Sequence, residues 1–534
     1  MKKNLTLCLV AIGSLASLAG CGSREGGQST DETKAQLSVA TFEGGVGDQW
    51  LLNAAQIFME KNKDRTDFQD GRVGVQINVK NNRAYGGDSI KDSDLREDIY
   101  FTENVDYYYL TNKNKLADIS DVLKAENPED GGKRIIDKID SNLIGYMTRD
   151  EKIYAVPFYD CFYGLVYDKD LFAEKGFYMT NEGGFTKDPS EFGTGPNGIA
   201  GDWDDGLPRT YDEFAEMMKK MRALNVVPFT YSSGIATYYT ARALCSWWSD
   251  YEGYDDLNLN FNFNGTAHHI VDSITDGVAS IKQEEITKEN GYLVRKQAGK
   301  YNALKFARDI LTNDSKNYQG YSSNYDVQSA FVNNKYAGGS TKPIAMMFEG
   351  NWWENEAAEY IEEAASTGAE SFNYGFMPIP KVNLDALGEA TFLNLNNSFG
   401  FINANSQNMK LAKEFFAFLH TDAMMSDFTA TTSMTRGLKY SIQESDKSKV
   451  TSYGLDLVHI KESEHAKVVY PYSSLDFVIN NTATFSIKSW SWGTKAYTDN
   501  PLIAFINNKS LTAEQFFNDH VNSLTASEWE RMIR

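Results

Sequence analysis

"PIAMMFEGNWWENE", residues 343–356, climbs as an apolar run to Phe348, breaks at Glu349, Gly350 and Asn351, and continues into an acidic, helix-forming stretch. It sets two adjacent tryptophans, Trp352 and Trp353, where a strand gives way to a helix. Either both rings plug a core, or one of them is offered to a ligand. The same strand-to-helix change recurs along the chain. "QLSVATFE" (36–43) alternates like a strand. After a glycine turn at Gly44–Gly47, "DQWLLNAAQIFMEKN" (48–62) spaces Trp50, Leu51, Ala54, Ala55, Ile57 and Phe58 along one helical face. "GVQINVK" (74–80) and "DYYYL" (106–110) read as further strands. Strand–helix–strand alternation favours an α/β fold with a largely parallel sheet.

Helix starts are legible downstream. In "LPRTYDEFAEMMKKMRAL" (207–224), Thr210 and Glu213 have capping-box spacing, and Phe214, Met217, Met221 and Leu224 recur at helical spacing. Thr512 and Gln515 repeat the box, and Ser406 is a cap candidate before Leu411, Phe415, Phe418 and Leu419. The Gly- and Asp-rich segment 180–206 has no periodicity and reads as a surface insertion. Its Asp202, Asp204 and Asp205 fail the spacing of a calcium-binding EF-hand, so no metal and no cofactor are read from the sequence.

At the amino terminus, Lys2 and Lys3 precede an apolar run (5–18) and then "SLAGCGS", the pattern of a secretory signal peptide over 1–20. "LAGC" resembles the lipobox of bacterial lipoproteins, which implies cleavage before Cys21, lipidation of that cysteine and a flexible tether over 21–35. The anchor would hold the body at the extracellular face of the cell membrane of a Gram-positive bacterium. The chain carries 73 acidic and 52 basic residues, net −21. Removing Lys2 and Lys3 with the signal makes the mature chain −23, which argues against nucleic acid as a partner. Of four cysteines, Cys161 and Cys245 stay in the body. One bond between them or two buried thiols both fit, and neither makes a disulfide framework.

Aromatic residues make up 13% of the chain, many among Asn and Asp, as in "ENVDYYYLTNKNK" and "SIKSWSWGT". Carbohydrate sites and glycosidases both use such neighbours. Nucleophile-elbow, zinc-protease and phosphate-loop motifs are absent from the sequence, and the adjacent His268 and His269 read as surface or loop residues.

Five segments in order resemble one family, the extracellular solute-binding proteins of ABC importers, carbohydrate type, similar to maltose-binding protein. They are "DEKIYAVPFYDCFYGLVYDKDLFAEKGF" (150–177, with Asp168 for the usual Asn), "PRTYDEFAEMMKKM" (208–221), "AFVNNKYAGGSTKPIAMMFEGNWW" (330–353), "YGFMPIPK" (374–381) and "NSFGFINANSQNMKLAKEFFAFL" (397–419). The resemblance implies a two-lobed periplasmic-binding-protein-like fold with a ligand cleft between lobes joined by hinge strands. Lobe one is expected at 36–160 and 382–436, lobe two at 165–378 and 437–534. Crossings fall near Phe158–Gly164, Tyr374–Pro380 and Arg436. The implied function is a monomeric, non-enzymatic receptor that delivers an oligosaccharide to ABC permease subunits. A secreted glycoside-active enzyme and a binder of peptide or another solute are the alternatives. The insertions 180–206 and 255–300 suggest an elongated or decorated ligand.

By the same resemblance Trp352 is the stacking tryptophan of lobe two, and Trp353 is assigned to packing. Tyr159 and Asp160 follow the hinge proline. Cys161 stands where maltose binders carry a glutamate, which speaks against maltose itself. Tyr109 and Asn112 match contact positions in lobe one. Phe42, Glu43, Asn396, Asn397, Arg436, Tyr238, Tyr239, Trp490 and Trp492 complete the expected ligand-binding set.

Overall fold

The computed structural model describes residues 30–42, 44–87, 89–90, 94–334, 342–368, 372–395, 398–493 and 500–534. The signal segment and Cys21 lie outside the described residues, as do Glu43, Asn396 and Asn397. The end of the expected tether is pinned: the Asp31 amide donates to the Gln76 side chain at 2.7 Å.

Ten strands build two sheets. In chain order they are β1 (Ala35–Phe42), β2 (Val75–Asn82), β3 (Ile99–Thr102), β4 (Val156–Pro157), β5 (Tyr163–Asp168), β6 (Val227–Ser232), β7 (Tyr318–Tyr321), β8 (Ile344–Gly350), β9 (Tyr374–Met377) and β10 (Phe399–Ile402). The first sheet runs β2-β1-β3-β10-β4 and the second β7-β6-β8-β5-β9. In each, three parallel strands are completed by antiparallel neighbours: β10 against β3 and β4, and β5 against β8 and β9. Helices α1 (Gln49–Lys61), α2 (Tyr107–Asn112), α3 (Tyr211–Ala223) and α4 (Tyr238–Asn262) follow strands or turns as the alternation requires.

Several local expectations are corrected. "DYYYL" is helix α2, not a strand, because Asp106 caps it by accepting the Tyr109 amide; the third strand is β3, just upstream. Ile57 is 43% exposed and lies off the buried face of α1, which is Trp50, Leu51, Ala54, Ala55 and Phe58. The helix Met409–Leu419 is capped by Asn408, while Ser406 donates to Asp98. Thr210 does cap α3, but Glu213 turns to the Arg209 amide instead of closing the box. At Thr512 the full capping box forms with Gln515.

The segment 180–206 is folded on itself. Asn197 donates its amide to Asp204 and its side chain to Asp202, and the Gly201 amide donates to Asp205. Asp204 is fully buried there, and burial pushes its carboxyl up to about 7. Cys161 and Cys245 are both buried thiols, not joined to each other. Among the described residues, no helix is long and apolar enough to cross a membrane.

The chain passes between the sheets at β4–β5, again between β9 and β10, and a third time after Arg436, where Tyr159 and Arg436 form an antiparallel bridge. Tyr374–Met377 is itself a strand of the second sheet, so the second passage falls later than expected. It includes Ala390–Leu393, paired in parallel with Ala466–Val469. Asp160 fastens these passages. It accepts from Lys461 at 3.0 Å, Tyr470 at 2.8 Å and Thr435 at 3.2 Å, and its carbonyl accepts from Asn351 at 2.9 Å.

Candidate functional site

The cleft is built where strand ends of the two sheets face each other. β8 carries Glu349 and Gly350 at its end, and the Trp352 ring folds back over that glycine. A Cβ on Gly350 would come within 2.3 Å of the indole, so only glycine allows this pose. Tyr163, opening β5, stands edge-on to Trp352 with ring centroids 4.8 Å apart and planes at 89°. Tyr239, at the start of α4, meets the same indole at 6.3 Å. One turn on, Arg242 donates to the Tyr163 hydroxyl at 2.7 Å and lies 4.8 Å from the centroid of the Tyr238 ring.

Lobe one answers with the Gly44–Gly47 turn and the end of β3. Gly45 has φ +54°, and a Cβ there would meet the Tyr159 hydroxyl at 2.8 Å and Glu103 at 3.1 Å. Tyr159 donates to Glu103. Burial pushes the Glu103 carboxyl up to about 7, against the Tyr159 hydrogen bond, which lowers it. Glu349 accepts from Asn324 at 2.7 Å and from Gln328 at 3.1 Å, and Gln328 also reaches Glu356 at 3.1 Å. Burial raises both Glu349 and Glu356, and the charge of Glu356 raises Glu349 further. Hydrogen bonds from Gln328, Trp352 and the Gly45 backbone and the charge of Arg83 draw Glu356 back down, so this lobe-two carboxyl touches lobe one. Carboxyls raised in this way can donate when protonated as well as accept.

Beside these groups a cavity of about 420 Å³ spans the lobes. Asn104, Asp106, Tyr108 and Tyr146 line it from lobe one, Arg242, Pro471–Ser473 and Phe485–Ile487 from lobe two, and Leu395 from a connection. Tyr146 and Tyr472 stack at 4.6 Å with planes at 24°. Its volume lies within the roughly 300–1,000 Å³ of small-molecule sites. A larger cavity of about 510 Å³ belongs to lobe two alone, between Asp276–Val278, Tyr301–Asn313 and Thr512–Glu514, and shares no residue with the cleft.

The structure brings Trp352, Tyr238, Tyr239 and Tyr159 to this cleft. Phe42 ends β1 with its ring against Gly44 and Gly86. Tyr109 and Asn112 sit on α2 and do not line the cavity; Asn112 is exposed at the helix end. Four of the expected residues are enclosed and spend their polar atoms within the fold. Trp490 is fully buried, donates to Asn260 and packs on Phe485. Arg436 is fully buried with its guanidinium 5.3–5.7 Å from the centroids of Trp50, Phe101, Phe158 and Phe428. Asp160 is 1% exposed and spends its carboxylate on the hinge. Trp492, 4% exposed, donates to the Ala241 carbonyl and braces α4 from behind.

Sequence reasoning missed Arg242, Tyr163, Glu103, Glu356 and Tyr472. Arg242 had a signal, since it follows Tyr238 and Tyr239 by four and three positions on one helical face. Tyr472 had none, because a loop without periodicity places it.

The model of the bacterial extracellular solute-binding protein family matches residues 52–425. The chain belongs to that family. None of the curated proteins matches it. Among solved structures, apo RafE from Streptococcus pneumoniae is 14% identical over 95% of this chain and 100% of its own, with a TM-score of 0.52. RafE in complex with raffinose gives 14%, 93%, 100% and 0.51. The GacH receptor of Streptomyces glaucescens, solved unliganded and with acarbose, is 12% identical over 93% of this chain and 98% of its own, TM-score 0.51. At these identities the likeness carries the two-lobed solute-binding fold.

Proposed function

We propose that this solute-binding protein captures a carbohydrate, an oligosaccharide, between its lobes and delivers it to the membrane permease of an ABC importer. The observation that carries the reading is the pairing of flat and polar groups in the cleft. Trp352, Tyr163 and Tyr239 supply aromatic faces and edges for the C–H side of a sugar ring. Arg242, Glu103 and Glu356 supply planar donors and acceptors for its hydroxyls. The raffinose and acarbose held by RafE and GacH support the same class of ligand. The lobes are proposed as 36–160 with 398–436, and 163–378 with 452–534, joined by the remaining connections; hinge motion about them closes the cleft. The protein acts as a monomeric receptor and not as an enzyme, anchored through lipid on Cys21 at the extracellular face of the membrane of a Gram-positive bacterium.

A thermal-shift screen of oligosaccharides, monosaccharides and peptides tests this, with chromatography of each ligand after incubation. A ligand binding only the native state at a hundred times its Kd adds about 2.7 kcal/mol. The expected result is a raised melting temperature with an oligosaccharide that is recovered intact. Shortened products would make the protein an enzyme, and shifts with peptides alone would overturn the sugar reading.

A further inference from the structure

Beyond the cleft, among the described residues one set of His, Asp and Glu side chains brings its ligand atoms within 4.8 Å of one another: Glu252, Asp256 and His269. The two carboxylates come from α4, on either side of Gly253, whose φ of +74° interrupts the helix between them. His269 comes from the first strand of the hairpin Gly265–Thr275/Val278–Ile286, which packs along that part of α4. His269 Nδ1 lies 3.5 Å from Glu252 Oε2 and 3.5 Å from Asp256 Oδ2. These separations are too long for good hydrogen bonds, which run about 2.7–3.2 Å. They match the roughly 3.3–3.5 Å between ligand atoms held about 2.0–2.2 Å from a tetrahedral zinc ion.

The buried side of the set is unsatisfied in the right place. Glu252 is 5% exposed, and its Oε2, like His269 Nδ1, has no hydrogen-bond partner. Its other oxygen is fixed by the Gly299 amide at 2.6 Å, which aims Oε2 at the imidazole. Asp256 is oriented as well, by the His268 ring at 2.7 Å and the His268 amide at 2.7 Å. Outer partners that fix ligand orientation in this way are a regular part of metal sites. A buried carboxylate oxygen without a hydrogen bond is costly, and a metal ion relieves it more fully than an imidazole 3.5 Å away.

We propose that Glu252 Oε2, Asp256 Oδ2 and His269 Nδ1 bind a divalent transition metal of the zinc class, clamping the hairpin to α4. An imidazole with two carboxylates suits zinc better than calcium or magnesium, which take oxygen ligands. The half-exposed edge of His269 leaves a fourth position for water. The adjacent histidines thus divide the work: His269 ligates, and His268 is a positioning residue for Asp256.

The experiment uses the mature chain stripped with chelator, then titrated with zinc by calorimetry and with cobalt(II) by visible absorption. Wild type is expected to bind one equivalent of zinc, to melt at a higher temperature with it, and to give the intense visible bands of low-coordinate cobalt. His269→Gln, at a position 39% exposed, should abolish the bands and weaken zinc at least tenfold. His268→Phe should weaken zinc by about 10–100-fold while keeping the bands, as expected for loss of an outer partner. Absence of zinc binding to the folded chain overturns the proposal and leaves a plain imidazolium–carboxylate pair. Unchanged zinc affinity in folded His269→Gln overturns it equally.

Discussion

The Trp352 indole receives the edge of the Tyr163 ring at 4.8 Å and 89°, while Trp353, its neighbour in sequence, faces the opposite way into Phe331, Tyr374 and Tyr453. The proposed function gives Trp352 to the ligand and Trp353 to the core. Trp352→Ala should weaken ligand by about 2 kcal/mol or more, roughly thirtyfold in Kd. Trp353→Ala empties a fully buried position and should cost about 3–5 kcal/mol of stability. Trp352 is 4% exposed with the lobes together, so its truncation also lowers stability, by less than that of Trp353. Calorimetry and urea melts on both variants decide it. Normal binding by a folded Trp352→Ala protein would remove this ring from the site.

Closure is the second expectation. Lobe one meets lobe two through Gly45 and Glu356, so ligand that fills the cleft should favour this contact. Small-angle scattering should show a smaller radius of gyration with ligand than without. The hinge should depend on Asp160, because Asp160→Ala leaves Lys461 and Tyr470 facing an empty acceptor position. Removing one partner of a buried pair costs about 3–5 kcal/mol, and a urea melt reads that loss. An unchanged radius at saturating ligand would defeat the moving-lobe reading.

How much of this was legible in the residues differs by element. The α/β alternation and the Trp352 position were readable because strand and helix periods are local and glycine breaks mark the junctions. α2 was not, since three tyrosines favour a strand and only the Asp106 cap, a single side chain, tips them into a helix. Trp490 and Arg436 misled for a different reason. Polar neighbours in sequence do not reveal that a ring will pack on Phe485 or a guanidinium on four aromatic faces. Glu252, Asp256 and His269 were invisible because the hairpin register alone brings His269 back to α4.

Anchoring gives a third prediction. With Cys21 intact the protein should fractionate with membranes and carry an acyl group, and Cys21→Ser should release it or leave the precursor uncleaved. Mass spectrometry of the amino-terminal peptide checks the modification. An acyl-free membrane pool that ignores the substitution would refute the lipobox reading.

The last prediction concerns pH and Glu103. Burial lifts its carboxyl from the ordinary 4.5 to about 7 in the folded chain, whereas the unfolded chain ionises at the ordinary value. Between those two values the unfolded state has released the proton and the native state still holds it. Native stability from this group is therefore complete below about pH 4.5, falls as pH rises, and levels off above about pH 7. At about 1.4 kcal/mol per unit the loss is roughly 3 kcal/mol at most. Glu349 and Glu356 slope the same way, so the informative quantity is the difference between wild type and Glu103→Gln. Glutamine keeps a carbonyl for the Tyr159 hydroxyl and cannot ionise. The variant should match wild type near pH 4.5 and be the more stable protein at pH 8. Urea melts without ligand across that range measure it. Parallel curves for the two proteins would mean that Glu103 ionises freely, and the picture of a carboxyl kept protonated for a sugar hydroxyl would fall with it.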